Sequence, residues 1–400
     1  MKPIVAVVGA FDRFNFGDLL FPHMVRFGFE KLGVDAEYRH FSLRAADLKD
    51  RGGVATVPLA SLKTAELPRG SLVVVAGGEM LSARWLDAFA GLAGPHRTLA
   101  AKMLARMIGV APVDRLSRRL LHGDRPLPWL LDAGDLRHDG PVSYNAVGGI
   151  GVGGLPKALR EEARTRLLRA AYIGVRDPKT KADLDTWDLP VEVSLTPDSA
   201  VLAPEAFPMA ELLPAASEPA RAALSRLGPG YLVLQVGRYP AWGRVSVLAG
   251  QIREIHRETG FGVLLLPLGQ AAGHEDRAPL EKIGALLEGL PVELLPQPDV
   301  HDILTCIANA RLFVGSSLHG NLMALVYGVP HVGFGERVPK LDLMLGTWDP
   351  TAPDGAADPE AIADHALRAV NDRCAALEPA IHALQDAAMA ALRGQTQLIS

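Results

Sequence analysis

The most chemically suggestive stretch of the 400 residues is Ser316-Ser317-Leu318-His319-Gly320. It follows an apolar run, Arg311–Gly315, that reads as a strand. It leads into Asn321–Tyr327, a buried helical pattern closed by Gly328, Val329 and Pro330. Either serine supplies an N-cap. The free N–H groups of a helix start, with the dipole behind them, favour an anion. His319 stands in that first turn between small residues. Imidazole carries a proton near neutral pH, or donates to an anion when charged. A lone histidine is often a satisfied interior residue, but the flanking Ser316, Ser317 and Gly320 leave backbone access that favours chemistry here.

Further candidates stand at other strand ends. Arg238 follows Tyr231–Gly237 with Arg244 close behind, and Lys340 follows His331–Phe334. Arginine forks match carboxylate and phosphate oxygens two at a time. Glu275 and Asp276 belong to a polar loop, Gly269–Arg277. In the first half, Asn15-Phe16-Gly17-Asp18 follows the apolar run Ile4–Val8, and Asp18 can cap the helix it opens. The spacing is not GxGxxG and no Walker lysine follows, so a nucleotide phosphate loop is not supported. Phe11, Phe14 and Phe16 offer flat faces suited to sugar rings. Gly77-Gly78-Glu79 ends Leu72–Ala76. The glycine pair admits close backbone approach, and Glu79 can accept from hydroxyls. Arg176, beside Asp177, makes either a local ion pair or a ligand contact. Asp198 either caps its turn or touches the ligand.

Such strand ends must be gathered by a frame. Short apolar runs alternating with amphipathic stretches predict an α/β protein of two Rossmann-like doubly wound domains facing a cleft, a GT-B-like arrangement. The expected boundaries are 1–205, a Pro- and Ala-rich linker at 206–229, a second domain at 230–350, and C-terminal helices at 351–400 packing back on the first domain. Lys and Arg total 41 against 45 Asp and Glu, a net charge of −4. That argues against nucleic acid as a partner, but not against a small anion. No apolar run nears the roughly 18 residues of a membrane span. The N-terminus reads as a strand rather than a signal peptide, so a cytoplasmic protein is expected. Cys306 and Cys374 are too few for a zinc cluster or a disulfide framework, and no metal-ligand spacing occurs. One segment, 96–126, carries seven Arg/Lys and two acids among apolar residues. Its plainer reading is a helical excursion packed on the domain. The sharper one is peripheral contact with anionic lipid, or a lipid-linked acceptor, at the inner face of a membrane.

Taken in order, these loops resemble the polysaccharide pyruvyl transferase family. The similar stretches are Asn15-Phe16-Gly17-Asp18, Gly77-Gly78-Glu79, Val175-Arg176-Asp177, Pro197-Asp198 and the Glu275-Asp276 loop. The most specific is Ser317-Leu318-His319-Gly320 running into Ala324-Leu325-Val326-Tyr327-Gly328-Val329-Pro330, followed by Lys340. Many family members have arginine where Ser317 stands, and Arg238 or Arg244 can supply that anion contact. An acid usual after Asp18 is replaced by Leu19. The resemblance implies a two-lobed fold and transfer of a pyruvyl group from phosphoenolpyruvate to a sugar of a polysaccharide or lipid-linked glycan. The product is a cyclic ketal, and phosphate is released. Phosphoenolpyruvate is then the donor substrate, with no cofactor and no metal. His319 would protonate the methylene or assist phosphate departure, and Asp18 and Glu79 would orient or deprotonate acceptor hydroxyls. The alternatives are a GT-B-type glycosyltransferase using a nucleotide sugar, with Glu336 on its ribose, and a non-catalytic sugar-binding member of the fold.

Overall fold

The computed structural model describes residues 2–399 apart from 138–139, 271–275, 336–337, 353 and 373–376. Parallel strands covered on both faces need apolar side chains throughout, and the most apolar runs accordingly become central strands. The first sheet contains β1 (Ile4–Val8), β2 (Glu37–Ser42), β3 (Ala46–Asp47), β4 (Ala55–Pro58), β5 (Leu72–Ala76), β6 (Val142–Val147), β7 (Tyr172–Val175) and β8 (Val193–Leu195). Its order is β3-β4-β2-β1-β5-β6-β7-β8, parallel except for β3 against β4. The second contains β9 (Tyr231–Gln235), β10 (Gly262–Leu265), β11 (Val292–Leu294), β12 (Leu312–Gly315) and β13 (His331–Gly333). It is ordered β11-β10-β9-β12-β13. Strand order reverses between β1 and β5, and between β9 and β12. The register sets Val8 beside Val75 and Gln235 beside Gly315, so each pair of following loops emerges side by side. Ligands of doubly wound sheets bind at such switch points.

The helix Phe16–Lys31 joins the halves. It packs against the last helix, Leu377–Thr396, and against Val300–Ala308 and Leu318–Val326 of the second half. One apolar core therefore runs through both lobes. Backbone bonds also cross: Phe16 N–H donates to the Leu268 carbonyl at 3.1 Å, and Gln270 N–H to Phe14 at 3.3 Å. Arg51 donates to the Pro298 carbonyl at 2.8 Å and lies 4.1 Å from the Phe14 ring centroid. The last helix is tied down by the fully buried Leu392 and by Gln395, which accepts from Ser143 Oγ and donates to Asn145, both at 3.0 Å.

Several expectations change. Strands β2, β3 and β4 had no apolar signature. They lie towards the sheet edges, where one face meets water and sequences such as Glu37–Ser42 stay polar. Residues 206–229, read as the linker, carry helical structure. They form helices Met209–Ala215 and Glu218–Leu227, and Leu212, Ala220 and Ala223 are buried against the second lobe. Ser217 caps the latter helix, and the Asp302 carboxylate holds its backbone N–H and hydroxyl at 2.7 and 2.9 Å. Phe11, Phe14 and Phe16 are buried core rings and present no face to a sugar. Cys306 is a buried thiol, pushed up by that burial; Cys374 lies outside the described residues. No described helix is long and apolar enough to cross a membrane.

Candidate active site

The site begins in the first turn after β1. Asp18 is buried, and its carboxylate accepts from Asn15 Nδ2 at 2.8 Å. One residue earlier, Gly17 meets the imidazole of His319 from the other lobe. A Cβ there would fall 1.9 Å from His319 Nδ1, so only glycine lets these two helix starts approach. The strand-end turn after β5 lies alongside. Gly77 has φ +132°, and Asp18 Oδ1 is 3.4 Å from where a Gly78 side chain would start. Glu79 then accepts from the Ile150 N–H at 3.1 Å.

Strands β7 and β8 deliver the charged centre. Arg176, buried, donates to Asp198 at 2.7 Å and to Glu79 at 3.3 Å. Burial opposes its charge, but the two carboxylates outweigh it and raise its pKa. Asp198 accepts a bond from Ala200 N–H at 3.0 Å and lies 3.4 Å from His319 Nε2. Burial would lift the Asp198 carboxyl, yet His319 and Arg176 beside it hold it at about 2. At 3.4 Å the Asp198–His319 contact is an ion-pair distance without the alignment of a hydrogen bond. The buried His319 Nε2 consequently has no hydrogen-bond partner among the described residues. Phe21 stands edge-on to the ring at 5.6 Å and fixes its tilt. Buried polar atoms are normally paired, so an unpaired imidazole nitrogen between two lobes marks a place for a ligand proton.

The second lobe supplies the remaining parts. Ser317 is the N-cap of Leu318–Val326 and accepts from Gly320 N–H at 3.2 Å. Ser316 accepts instead from Gly237 N–H at 3.0 Å and is buried. Gly320 is required by packing, since a Cβ would meet the Phe313 ring at 2.4 Å. Lys340 opens the helix Pro339–Trp348. Burial, then the nearby Arg176 charge, lowers its pKa, with Glu79 and Asp18 pulling the other way. Among the described residues it has no ion-pair partner within 4.0 Å. Asp276 accepts from Gln235 at 2.8 Å, Gly269 N–H at 2.9 Å and Leu268 N–H at 3.0 Å, which shapes the loop after β10. Burial nonetheless raises its carboxyl to about 7.

The structure therefore gathers Asp18, Gly17, Glu79, Arg176, Asp198, His319 and Lys340, and leaves other candidates aside. Arg244 donates to Glu360 at 3.0 Å. Arg238 is exposed in the first turn after β9. Asp177 does not pair with its neighbour Arg176; it caps Pro178–Asp185 through Thr180 N–H and Oγ1, both at 2.7 Å. Glu275 and Glu336 lie outside the described residues. Sequence reasoning missed Trp348, whose indole N–H donates to the Arg176 carbonyl at 2.9 Å, and Gln235 beneath Asp276. Neither carries a local signal: a tryptophan at a helix end and a glutamine ending an apolar strand read as structure.

No curated protein sequence matches the chain. The family model for polysaccharide pyruvyl transferase matches residues 15–337. Among solved structures, the UDP-GlcNAc 2-epimerase of Neisseria meningitidis is similar over 98% of each chain, with a TM-score of 0.55 and 11% identity. The UDP-N-acetylglucosamine 2-epimerase of Rickettsia bellii is similar over 98% of this chain and 96% of that one, with a TM-score of 0.52 and 13% identity. The UDP-GlcNAc 2-epimerase of Methanocaldococcus jannaschii follows at 93% and 92%, with a TM-score of 0.51 and 11% identity. At these identities the likeness is one of fold: two doubly wound lobes of the GT-B type.

Proposed function

We propose that this chain, which belongs to the polysaccharide pyruvyl transferase family, transfers the pyruvyl group of phosphoenolpyruvate to two hydroxyls of a sugar, releasing phosphate. The observation that carries this reading is the buried His319 Nε2, without a hydrogen-bond partner among the described residues, set against Asp198, which pairs with Arg176 and lines one small cavity with it and with Lys340 of the other lobe. Phosphoenolpyruvate brings a carboxylate and a phosphate. Arg176 can fork onto one of them, while Lys340, whose charge is costly where it stands, regains a counter-ion when the donor binds. The anion cradle is thus shared between lobes, and Arg176 can take the part that the sequence offered to Arg238 or Arg244.

The chemistry uses these groups in turn. His319 gives its proton to the methylene carbon, and positive charge develops on the carbon bearing the phosphate. A sugar hydroxyl attacks that carbon and forms a C–O bond, losing its proton to Asp18 or Glu79. The bond to phosphate breaks with its electron pair, and a second hydroxyl closes the ketal. Of the two hydroxyl protons released, one restores His319 and the other leaves with phosphate. Asp198 stabilises the imidazolium that begins the cycle. The acceptor, a sugar of a polysaccharide or lipid-linked glycan, faces Asp18 and Glu79 on the first lobe.

The test is to incubate the protein with phosphoenolpyruvate and candidate glycans, following phosphate release and the pyruvate ketal by mass spectrometry. Phosphoenolpyruvate should raise the melting temperature, as any ligand of the native state does. Stabilisation by UDP-GlcNAc, none by phosphoenolpyruvate and no phosphate release would refute the reading in favour of nucleotide-sugar chemistry.

A further inference from the structure

We propose that the hairpin of helices Pro95–Ile108 and Val110–Leu120, continued by Trp242 of the second lobe, seats the protein on an anionic lipid bilayer beside the mouth of the cleft. The seat stands whether or not the transfer reaction is the one proposed above; only its service to a lipid-linked acceptor rests on that reading.

The hairpin is amphipathic in the wrong sense for a solvated excursion. The helix Pro95–Ile108 buries only Thr98 and Ala105, against a small core with Leu86 and Val113. Leu104 packs against that core, but the helix's other long apolar residues face outward. Leu99, Met103 and Met107 form one stripe at intervals of four, with Met107 81% exposed. On the second helix, Leu116 and Leu120 repeat the pattern. Leaving such side chains in water forfeits burial that a short turn of the helix would otherwise gain.

Charge identifies the occupant. Arg97, Lys102, Arg106, Arg115, Arg118 and Arg119 flank the apolar stripes. The single acid between residues 95 and 120, Asp114, is buried and accepts from Leu86 N–H at 2.9 Å. The outward face is therefore apolar and cationic with no carboxylate. A second copy of this face would repel it, whereas anionic headgroups complement it. No described helix can cross a bilayer, so the hairpin would lie in the interface.

Position connects the face to the cleft. Arg13, from the loop after β1, lies 3.2 Å from where a side chain on Gly91 would start, in the helix Trp85–Leu92, and that helix packs against both helices of the hairpin. Lys102 reaches the other lobe, donating to Tyr239 Oη at 2.8 Å and lying 5.2 Å from its ring centroid. Three residues on, Trp242 is 71% exposed, an amphipathic ring suited to headgroup depth. The face thus spans both lobes at the strand ends that carry the site.

Co-sedimentation of the full chain with phosphatidylcholine vesicles containing phosphatidylglycerol, against phosphatidylcholine alone, tests the proposal. Binding is expected only with phosphatidylglycerol, and should weaken with salt. Met103→Glu with Met107→Glu should abolish it while leaving the melting temperature and any turnover of a soluble acceptor unchanged. Each of Arg115→Gln and Arg119→Gln should weaken it by about fivefold. Absence of binding at low salt, or binding indifferent to the glutamate pair, would overturn the proposal. So would self-association of the wild-type chain that the same pair abolishes, since the face would then be an interface between copies.

Discussion

Replacing Gly17 by alanine probes the proposed site with one methyl group. The new carbon would lie 1.9 Å from His319 Nδ1 and 2.4 Å from its Cγ and Cε1. Unstrained contacts need about 3.5 Å, so the ring must retreat by roughly 1.6 Å. Phe21 stands edge-on beside the ring and limits where it can go, and any retreat disturbs the 3.4 Å contact with Asp198. Misplacing a reacting group by about 1 Å costs on the order of 100-fold in rate. The expected loss in kcat/KM is therefore at least ~100-fold, or ~2.7 kcal/mol of transition-state stabilisation. The backbone itself accepts the change, because Gly17 lies in the helix Phe16–Lys31, where alanine is favoured by about 1 kcal/mol. The assay pairs phosphate release from phosphoenolpyruvate with thermal melting. The decisive comparison is a double-mutant cycle with His319→Ala, which removes the ring the methyl would strike. In that background Gly17→Ala should cost nothing further. Wild-type kcat/KM in Gly17→Ala, or an equal loss in both backgrounds, would refute the claim that this glycine exists to admit the imidazole.

Three further outcomes follow from named contacts. Asp198→Asn should destabilise the protein by about 2 kcal/mol at neutral pH, because the carboxyl is held at about 2 against an ordinary 3.8. That stability is present above pH 3.8 and lost as pH falls towards 2, so acid melting curves of wild type and variant should converge there. The buried pair His331–Asp349, 2.6 Å apart, has the histidine raised and the aspartate lowered by their mutual attraction against the cost of burial. Its contribution is complete below the ordinary histidine value of 6.5 once Asp349 is ionised, and fades as pH rises through the raised value; His331→Gln should flatten that alkaline decline in melting temperature. Leu392→Ala, in the helix docked on Phe16–Lys31, should cost about 2–5 kcal/mol in denaturant unfolding; an unchanged midpoint would show the last helix to be dispensable.

Much of the architecture was legible because parallel strands covered on both faces cannot hide their composition. Leu72–Ala76 is apolar throughout and Tyr231–Gln235 is apolar up to its last residue, and each lies inside its sheet. A serine cap at 316 or 317 was legible for a comparable reason, since capping is a contact over three residues, and the structure assigns it to Ser317. Position at a strand end was legible too, and it directed attention to His319, Asp18, Glu79, Arg176 and Lys340. Strands such as Glu37–Ser42 were not, because their environment permits polar side chains.

What the sequence by itself determined was which residues stand at the carboxyl ends of strands; what only the tertiary structure decided was where their side chains turn. Arg244 and Arg176 are both arginines downstream of a strand in their own lobes. One is drawn out to Glu360, 116 residues along the chain, and the other inward to Asp198 and Glu79. Phe11, Phe14 and Phe16 have the composition of a sugar platform, yet all are buried. Long-range charge pairing and apolar burial depend on which surfaces meet, and no local spacing encodes that. His319 became part of a site when Gly17, some three hundred residues earlier in the chain, left room for its ring.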